Sequence, residues 1–243
     1  MNKKIIFAFL LLAGLISGCA HNFGGLTHYS VANGEIDKQV LNNVIVIPVD
    51  ASAYELGIAN LEKVPEWSER AQKVLQTQLD AMFDGEVQIN SAAMPELNAE
   101  EKLTLDEHIA VYREVVKALR GQQAVSGWQH KKSRVDGTVG SGLQFLQEKT
   151  GSETALVVSG LDVKSSGGRM VAAGVAALMG VGIPMGHSEV IVGFVNLGSG
   201  DVLWSNHSFS TSHGLTTNQD ARSMLQAAFS GHDKFLADLE EDR

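Results

Sequence analysis

Cysteine is nearly absent from this chain, because Cys19 is the only one among 243 residues. A single thiol excludes an intramolecular disulfide, so the fold depends on an apolar core, for which 44% hydrophobic residues are sufficient. In an oxidising compartment a lone thiol is a liability unless something blocks it. The position of Cys19, just after a short apolar run at the N-terminus, therefore needs an explanation.

Basic residues are also few, with 19 Lys and Arg against 28 Asp and Glu and a net charge of −9. Removing residues 1–18 would remove Lys3 and Lys4 and no acidic residue, which leaves 17 basic and 28 acidic residues and a net charge of −11. Nucleic-acid binding needs clustered Lys and Arg side chains. The one basic run, at residues 130–134, is short, so we expect no nucleic-acid partner.

Patterns for catalysis or metal binding are missing as well. The chain has no HExxH and no Gly-Xaa-Ser-Xaa-Gly motif, and residues 180–186 lack the Lys-Ser/Thr end of a phosphate-binding loop. A metal site needs three or four convergent ligands, whereas the histidine spacing favours separate loop and strand-end positions. The histidines considered are His108, His187, His207 and His213. We therefore predict that the protein is not an enzyme and needs neither a metal nor a cofactor.

The N-terminus has a positively charged start, a 12-residue apolar run over residues 5–16, and small residues before Cys19. The run is too short to span a bilayer as a finished helix and matches the core of a signal peptide. Ile16, Ser17, Gly18 and Cys19 resemble the lipobox of bacterial lipoproteins, in which signal peptidase II cleaves before the cysteine and lipid is attached to it. The resemblance implies a signal peptide over residues 1–18 and covalent lipid, such as palmitate, on Cys19. The alternative is an ordinary signal peptide with an incidental cysteine.

The residue after the cysteine bears on location. In lipoproteins of this kind an Asp at that position tends to retain the protein in the inner membrane, and Ala20 stands there instead. The resemblance therefore implies an outer-membrane lipoprotein that faces the periplasm. Residues 19–43 are polar, contain several glycines and show no sustained period, so they are predicted to form a lipidated flexible tether.

Strand and helix patterns alternate after residue 43. The apolar β-branched run over residues 44–49 predicts a buried strand, with Pro48 near its end or at an unpaired position, and residues 50–64 read as a loop. Asn98 with Glu101, and Thr217 with Asp220, have the spacing of helix caps. The predicted helices cover residues 65–84, 98–120, 137–149, 217–229 and 232–239, and the further strands cover 86–90, 154–163, 188–197 and 201–210.

This order predicts an α/β fold with a single mixed β-sheet covered by helices. One domain would extend over residues 44–239, with a helical insert at 92–120 and a C-terminal β-hairpin plus helix. An apolar Gly/Ala segment over residues 169–186 interrupts the strands.

That apolar segment carries no charge from residue 170 to residue 185. As a helix to Ile183 it would be about 21 Å long, short of a ~30 Å hydrocarbon core. Three interpretations stay open: packing onto its own domain, a contact surface for a partner or a second copy, and contact with the membrane surface. The residues of a candidate interaction surface are Met170, Val171, Val175, Leu178, Met179, Ile183 and Met185.

Residues 190–205, VIVGFVNLGSGDVLWS, form a strand and a hairpin that ends in Asp-Val-Leu-Trp and small polar residues. Together with LVVSG at residues 156–160 they resemble envelope lipoproteins related to the N-terminal domain of TolB, a group that includes CsgG and PelC. The likeness covers about half of the mature chain; residues 92–120 and the apolar segment depart from it.

The resemblance implies a TolB-N-like domain and a non-enzymatic role as an accessory or assembly subunit of an envelope secretion, export or surface-structure system. Its partner would be another envelope protein or a second copy of the chain. The alternative is a periplasmic lipoprotein that binds a lipid or another small ligand.

Overall fold

A computed structural model describes residues 21–22, 24–36, 38–83, 90–124 and 134–240. The predictions for the signal peptide, for the lipobox with Cys19 and for residues 86–89 of the strand predicted at 86–90 lie outside these ranges. No helix in the described ranges is both long enough and apolar enough to cross a membrane.

One mixed sheet forms the centre of the molecule, which confirms the predicted α/β class. Its strands are β1 (His21–Asn22), β2 (Leu26–His28), β3 (Val44–Val46), β4 (Asp50–Leu56), β5 (Leu61–Lys63), β6 (Ser91–Ala92), β7 (Arg134–Val135), β8 (Thr154–Ser165), β9 (His187–Asn196) and β10 (Val202–Ser210). The order across the sheet is β5-β4-β8-β9-β10-β2-β7, while β1 pairs with β10, and β3 pairs with β6 and β8.

Helices lie on both faces of this sheet. They are α1 (Tyr29–Ala32), α2 (Pro65–Phe83), α3 (Ala99–Ala124), α4 (Gln144–Thr150), α5 (Gly167–Leu178), α6 (Asn218–Phe229) and α7 (His232–Glu240). Short 3₁₀ turns occur at Lys38–Leu41 and Ser141–Leu143. Both predicted caps are present: Asn98 and Glu101 exchange hydrogen bonds of 2.9 Å at the start of α3, and Thr217 accepts from the Asp220 N–H at the start of α6.

The side chains of the sheet alternate between two apolar cores. Leu156, Val158 and Val192 point to the first face, where they pack with α2, α6 and α7. Ala155, Val157 and neighbouring residues point to the second face and pack with α3 and α4. Because α3 and α4 contact only part of the second face, a groove remains open over the rest of it.

The predicted loop at residues 50–64 is wrong, because β4 and β5 form there. Strand β4 runs parallel to β8 over seven residue pairs, from Asp50–Ser159 to Leu56–Ser165. Its buried residues are the small Ala51 and Ala53, which lack the β-branched pattern that marks most strands. Pro48 lies between β3 and β4 and outside both strands, as predicted.

Part of the predicted tether belongs to the domain. Strands β1 and β2 pair with β10, and Leu26, His28 and Val31 are buried. The helix predicted over residues 137–149 is also shorter than expected, because Gly140 adopts φ +82° and only residues 144–150 form α4. Glycine favours such a conformation and weakens helices, which explains the late start.

Candidate functional site

The open half of the second sheet face forms a groove with a volume of about 770 Å³. Its floor consists of residues from β4, β8 and β9, including Tyr54, Leu161 and Ile191. Arg113 of α3 lines one side, where its Nη1 lies 2.7 Å from a carboxylate oxygen of Asp50. The groove is therefore mixed in character, with an apolar floor and charged walls.

A carboxylate between two imidazoles occupies the end of this floor. The Nε2 atom of His187 lies 3.3 Å from one oxygen of Glu189, and the Nε2 atom of His207 lies 3.6 Å from the other. The ring of His187 also stacks on Phe209 at a centroid distance of 5.3 Å. Strand geometry produces the cluster, because residues two apart on β9 face the same side and β10 is its neighbour.

The two imidazoles stabilise the ionised form of Glu189. Contacts first from His187 and then from His207 hold the pKa of Glu189 well below its ordinary value of 4.5, against the opposing effect of burial. The carboxylate is therefore ionised at any pH near neutrality. Among the residues that the structure describes, no group of three or more His, Cys, Asp or Glu side chains could hold a metal ion.

A second polar group lies buried between α3 and the sheet. Tyr112 of α3 is buried, and desolvation raises the pKa of its hydroxyl above its usual range. Burial also lowers the pKa of Arg120 to about 10, and its Nη2 donates to the side-chain oxygen of Asn206 at 3.2 Å. Gly193 leaves the space that the Tyr112 hydroxyl occupies, because a Cβ there would overlap the hydroxyl and the Trp204 carbonyl. These groups support the packing of α3 on the sheet.

The end of the groove next to Glu189 is bordered by an apolar arm, residues 166–186, which connects antiparallel strands β8 and β9. Helix α5 forms its first part. The Ser166 side chain caps the helix by accepting from the Arg169 N–H at 3.2 Å, and Gly180 at φ +77° follows its end. Left-handed glycine is a common helix stop, so the helix ends at Leu178, before Ile183.

One cation ties the two halves of the arm together. Arg169 donates through Nε and Nη2 to the Pro184 carbonyl at 2.9 and 2.6 Å, and through Nη1 to the Gly57 carbonyl at 3.0 Å. The Gly186 N–H donates to the Ser165 hydroxyl at 2.9 Å. The only charged side chain of the arm is therefore held at its base, against the β4–β5 turn.

The apolar side chains of the arm point outward. Leu178 is 89% exposed and Val171 69%, whereas Ala176 is the one buried side chain of α5. Of the predicted interaction residues, Ile183 is half-buried and the others are exposed, namely Met170, Val171, Val175, Leu178, Met179 and Met185. The structure thus does not support the interpretation of this segment as a helix buried in its own domain.

Comparison with known proteins finds weak structural similarity and no match in sequence. No protein-family model matches the chain, and no curated protein is similar to it. Two solved structures, both PelC dodecamers from Paraburkholderia phytofirmans and one of them a point variant, have a TM-score of 0.34. Their identities to this chain are 12% and 13%, and the match covers 88% of this chain and 96% and 95% of theirs.

Sequence reasoning missed the Glu189 cluster. The only local signal was the i, i+2 spacing of His187 and Glu189, which places both on one face of a strand. His207 joins them through the pairing of β9 with β10, which the sequence does not specify. The other two histidines considered have different partners: His108 contacts the Thr104 carbonyl at 2.7 Å, and His213 contacts the Ser210 hydroxyl at 2.9 Å.

Proposed function

We propose that this protein is a lipid-anchored subunit of the bacterial cell envelope, facing the periplasm from the outer membrane. It acts without catalysis, as an accessory or assembly subunit of a secretion, export or surface-structure system. The lipobox resemblance at Ile16–Cys19 supports the anchor, and Ala20 supports the outer membrane.

The observation that carries this proposal is the exposed arm. A contiguous apolar surface on an isolated chain usually marks a place where a protein contacts another protein or a membrane. The arm exposes Val171, Val175 and Leu178 together, and it meets exposed Ile58 at its base, near Gly168. Such a surface favours a protein that works in contact with larger structures of the envelope.

Glu189, the partly buried carboxylate of the groove, is unsuited to general-base catalysis. Glu189 is an ionised carboxylate whose two oxygens already face His187 and His207. A general base needs a pKa near the working pH, whereas the pKa of Glu189 lies far below it.

Cross-linking in intact cells tests the assembly role. We expect the lipidated protein to yield a discrete adduct with one envelope protein or a regular ladder of its own copies, identified by mass spectrometry after purification. The variant Leu103→Asp, which places a charge on α3, serves as the control and should leave the adducts unchanged, because exposed Leu103 belongs neither to the arm nor to the lining of the groove. A monomer with no adduct at any cross-linker length would contradict the proposal.

The groove favours a second candidate function, the binding of a lipid or another small amphipathic ligand. Its volume is in the range of ligand sites, and it combines apolar residues such as Leu161 and Ile191 with a few polar groups. Native mass spectrometry of the purified protein would then show a bound molecule that is lost when Leu161→Glu blocks the floor. Absence of any bound mass together with a cross-linked ladder would favour the assembly role.

A further inference from the structure

The beginning of the described chain lies at the end of the sheet from which the arm emerges. His21 pairs with Phe209 and Asn22 with Ser208, so β1 starts beside the last residues of β10. The same end contains the start of β9 at His187 and the end of β8 at Ser165, which are the two roots of the arm.

Chain geometry then limits the distance between the anchor and the arm. The link from His21 to Cys19 can span at most about 7 Å. Strand β10 separates β1 from β9, so β1 lies two strand spacings, about 10 Å, from the arm root. A bilayer that holds acyl chains on Cys19 must therefore lie close to the arm.

The arm has the chemistry of a surface that enters an apolar phase. From residue 170 to residue 185 none of its side chains can donate or accept a hydrogen bond, apart from weakly accepting methionine sulfur. A protein interface usually includes a polar rim and about one hydrogen bond per 100–200 Å². This surface offers no such groups, whereas a bilayer requires none.

The turn that ends helix α5 satisfies its backbone N–H groups within the arm, which suits an environment in which unsatisfied polar groups are costly. The N–H groups of Met179 and Val181 donate to the Ala176 carbonyl, and that of Gly180 donates to Ala177. Arg169 remains at the base with its guanidinium bound to carbonyl groups of Gly57 and Pro184. Helix α5 is about 18 Å long, so it can enter a leaflet but cannot cross the bilayer.

From these observations we infer that the apolar arm inserts into the membrane leaflet that holds the Cys19 lipid. The inference rests on the lipid anchor of the proposed function. The arm is then a second membrane contact, about two strands from the first, and it fixes the orientation of the domain. The sheet stands with its Ser165 and His187 end toward the bilayer, and the end with α4 points into the periplasm.

Site-directed spin labelling of the mature lipidated protein tests this orientation. The protein is placed in vesicles of phosphatidylethanolamine and phosphatidylglycerol, and a label is attached through Leu178→Cys, Val171→Cys or, as a matched control, Leu103→Cys. Leu103 is an exposed apolar residue of α3 at the opposite end of the sheet, near Glu101 and its partner Lys149. An introduced cysteine is a unique site, because a lipidated Cys19 cannot react.

We expect collisions with oxygen, relative to those with a water-soluble nickel chelate, to be several-fold more frequent at residues 171 and 178 than at residue 103. Equal ratios at all three sites would overturn the inference. Dipolar broadening between labels at residue 178 in the membrane would overturn it too, in favour of a second copy. Labelling of the parent protein would show an unmodified Cys19, which refutes the anchor itself and is thus distinguishable from failure of the arm contact.

Discussion

At the scale of single residues, Glu189 links the groove to the base of the arm. It lies on β9 two residues after His187, where the arm ends, and it contacts His207 on β10. One carboxylate therefore connects two strands through their side chains on the open face of the sheet. This contact compensates for the missing helix cover at that end, because partly buried charge-assisted contacts are stronger than neutral ones.

Replacing this carboxylate should weaken the fold at neutral pH. We expect Glu189→Gln to lower the free energy of unfolding at pH 7 by roughly 1–3 kcal/mol, the usual value of hydrogen bonds to a charged group. The control Glu62→Gln, on exposed strand β5, should change it little. Urea denaturation monitored by circular dichroism measures both.

The free energy of unfolding at acidic pH should also depend on Glu189. Because the pKa of Glu189 is lower in the folded protein than its ordinary 4.5, the unfolded chain binds a proton first as the pH falls. The contribution of Glu189 is therefore complete above about pH 4.5 and decreases below it, so the difference between wild type and Glu189→Gln should shrink from pH 4.5 to pH 3. A difference that is constant over this range would contradict the assigned ionisation.

At the scale of elements, the sequence predicts those strands and helices whose pattern is local. Strands β8, β9 and β10 contain continuous β-branched or alternating residues, and helix α2 contains apolar residues at helical spacing. Strand β4 was missed because Ala51 and Ala53 bury little area, so its strand conformation depends on parallel pairing with β8. Parallel pairing joins residues that are far apart in the sequence, so the seven residues of β4 contain no pattern that predicts it.

The arm shows what composition predicts and what it does not. An uncharged run of residues indicated an apolar element, but a buried helix and an exposed one have the same composition. Exposure follows from topology, because the arm connects adjacent antiparallel strands and extends beyond the sheet end. The groove was likewise not predictable, since it exists only where α3 leaves the second face uncovered.

Deletion of the arm should leave the domain folded. We expect replacement of residues 169–186 by an Asn-Gly turn to change the free energy of unfolding by less than about 2 kcal/mol, because Ala176 is the one buried side chain of α5. A truncation in the first core, Leu225→Ala, should cost about 2–5 kcal/mol and serves as the comparison. Loss of the cooperative urea transition on arm deletion would show that the segment belongs to the core.

At the scale of the whole molecule, the anchor, the arm and the mouth of the groove share one end. Pro184 and Met185 of the arm line the groove together with His187 at the strand start. A domain held by two contacts at this end would present the groove close to the bilayer and α4 away from it. This arrangement suits a subunit that positions a partner or a ligand at the membrane surface.

The net charge and the exposed apolar surface of the molecule together predict its association state in the absence of a membrane. The chain from Ala20 onward has a net charge of −11, which favours solubility, yet it exposes the arm. We expect this unlipidated chain to self-associate in buffer through the arm. Without a membrane, the arms of two copies would bury their apolar surfaces against each other. Val171→Asp combined with Leu178→Asp should shift its mass toward that of a monomer in light scattering coupled to gel filtration, whereas Leu103→Asp should not. Equal masses for the parent chain, the double variant and Leu103→Asp would show that the arm does not form an adhesive surface. That result would weaken both the assembly role and the membrane contact assigned to the arm.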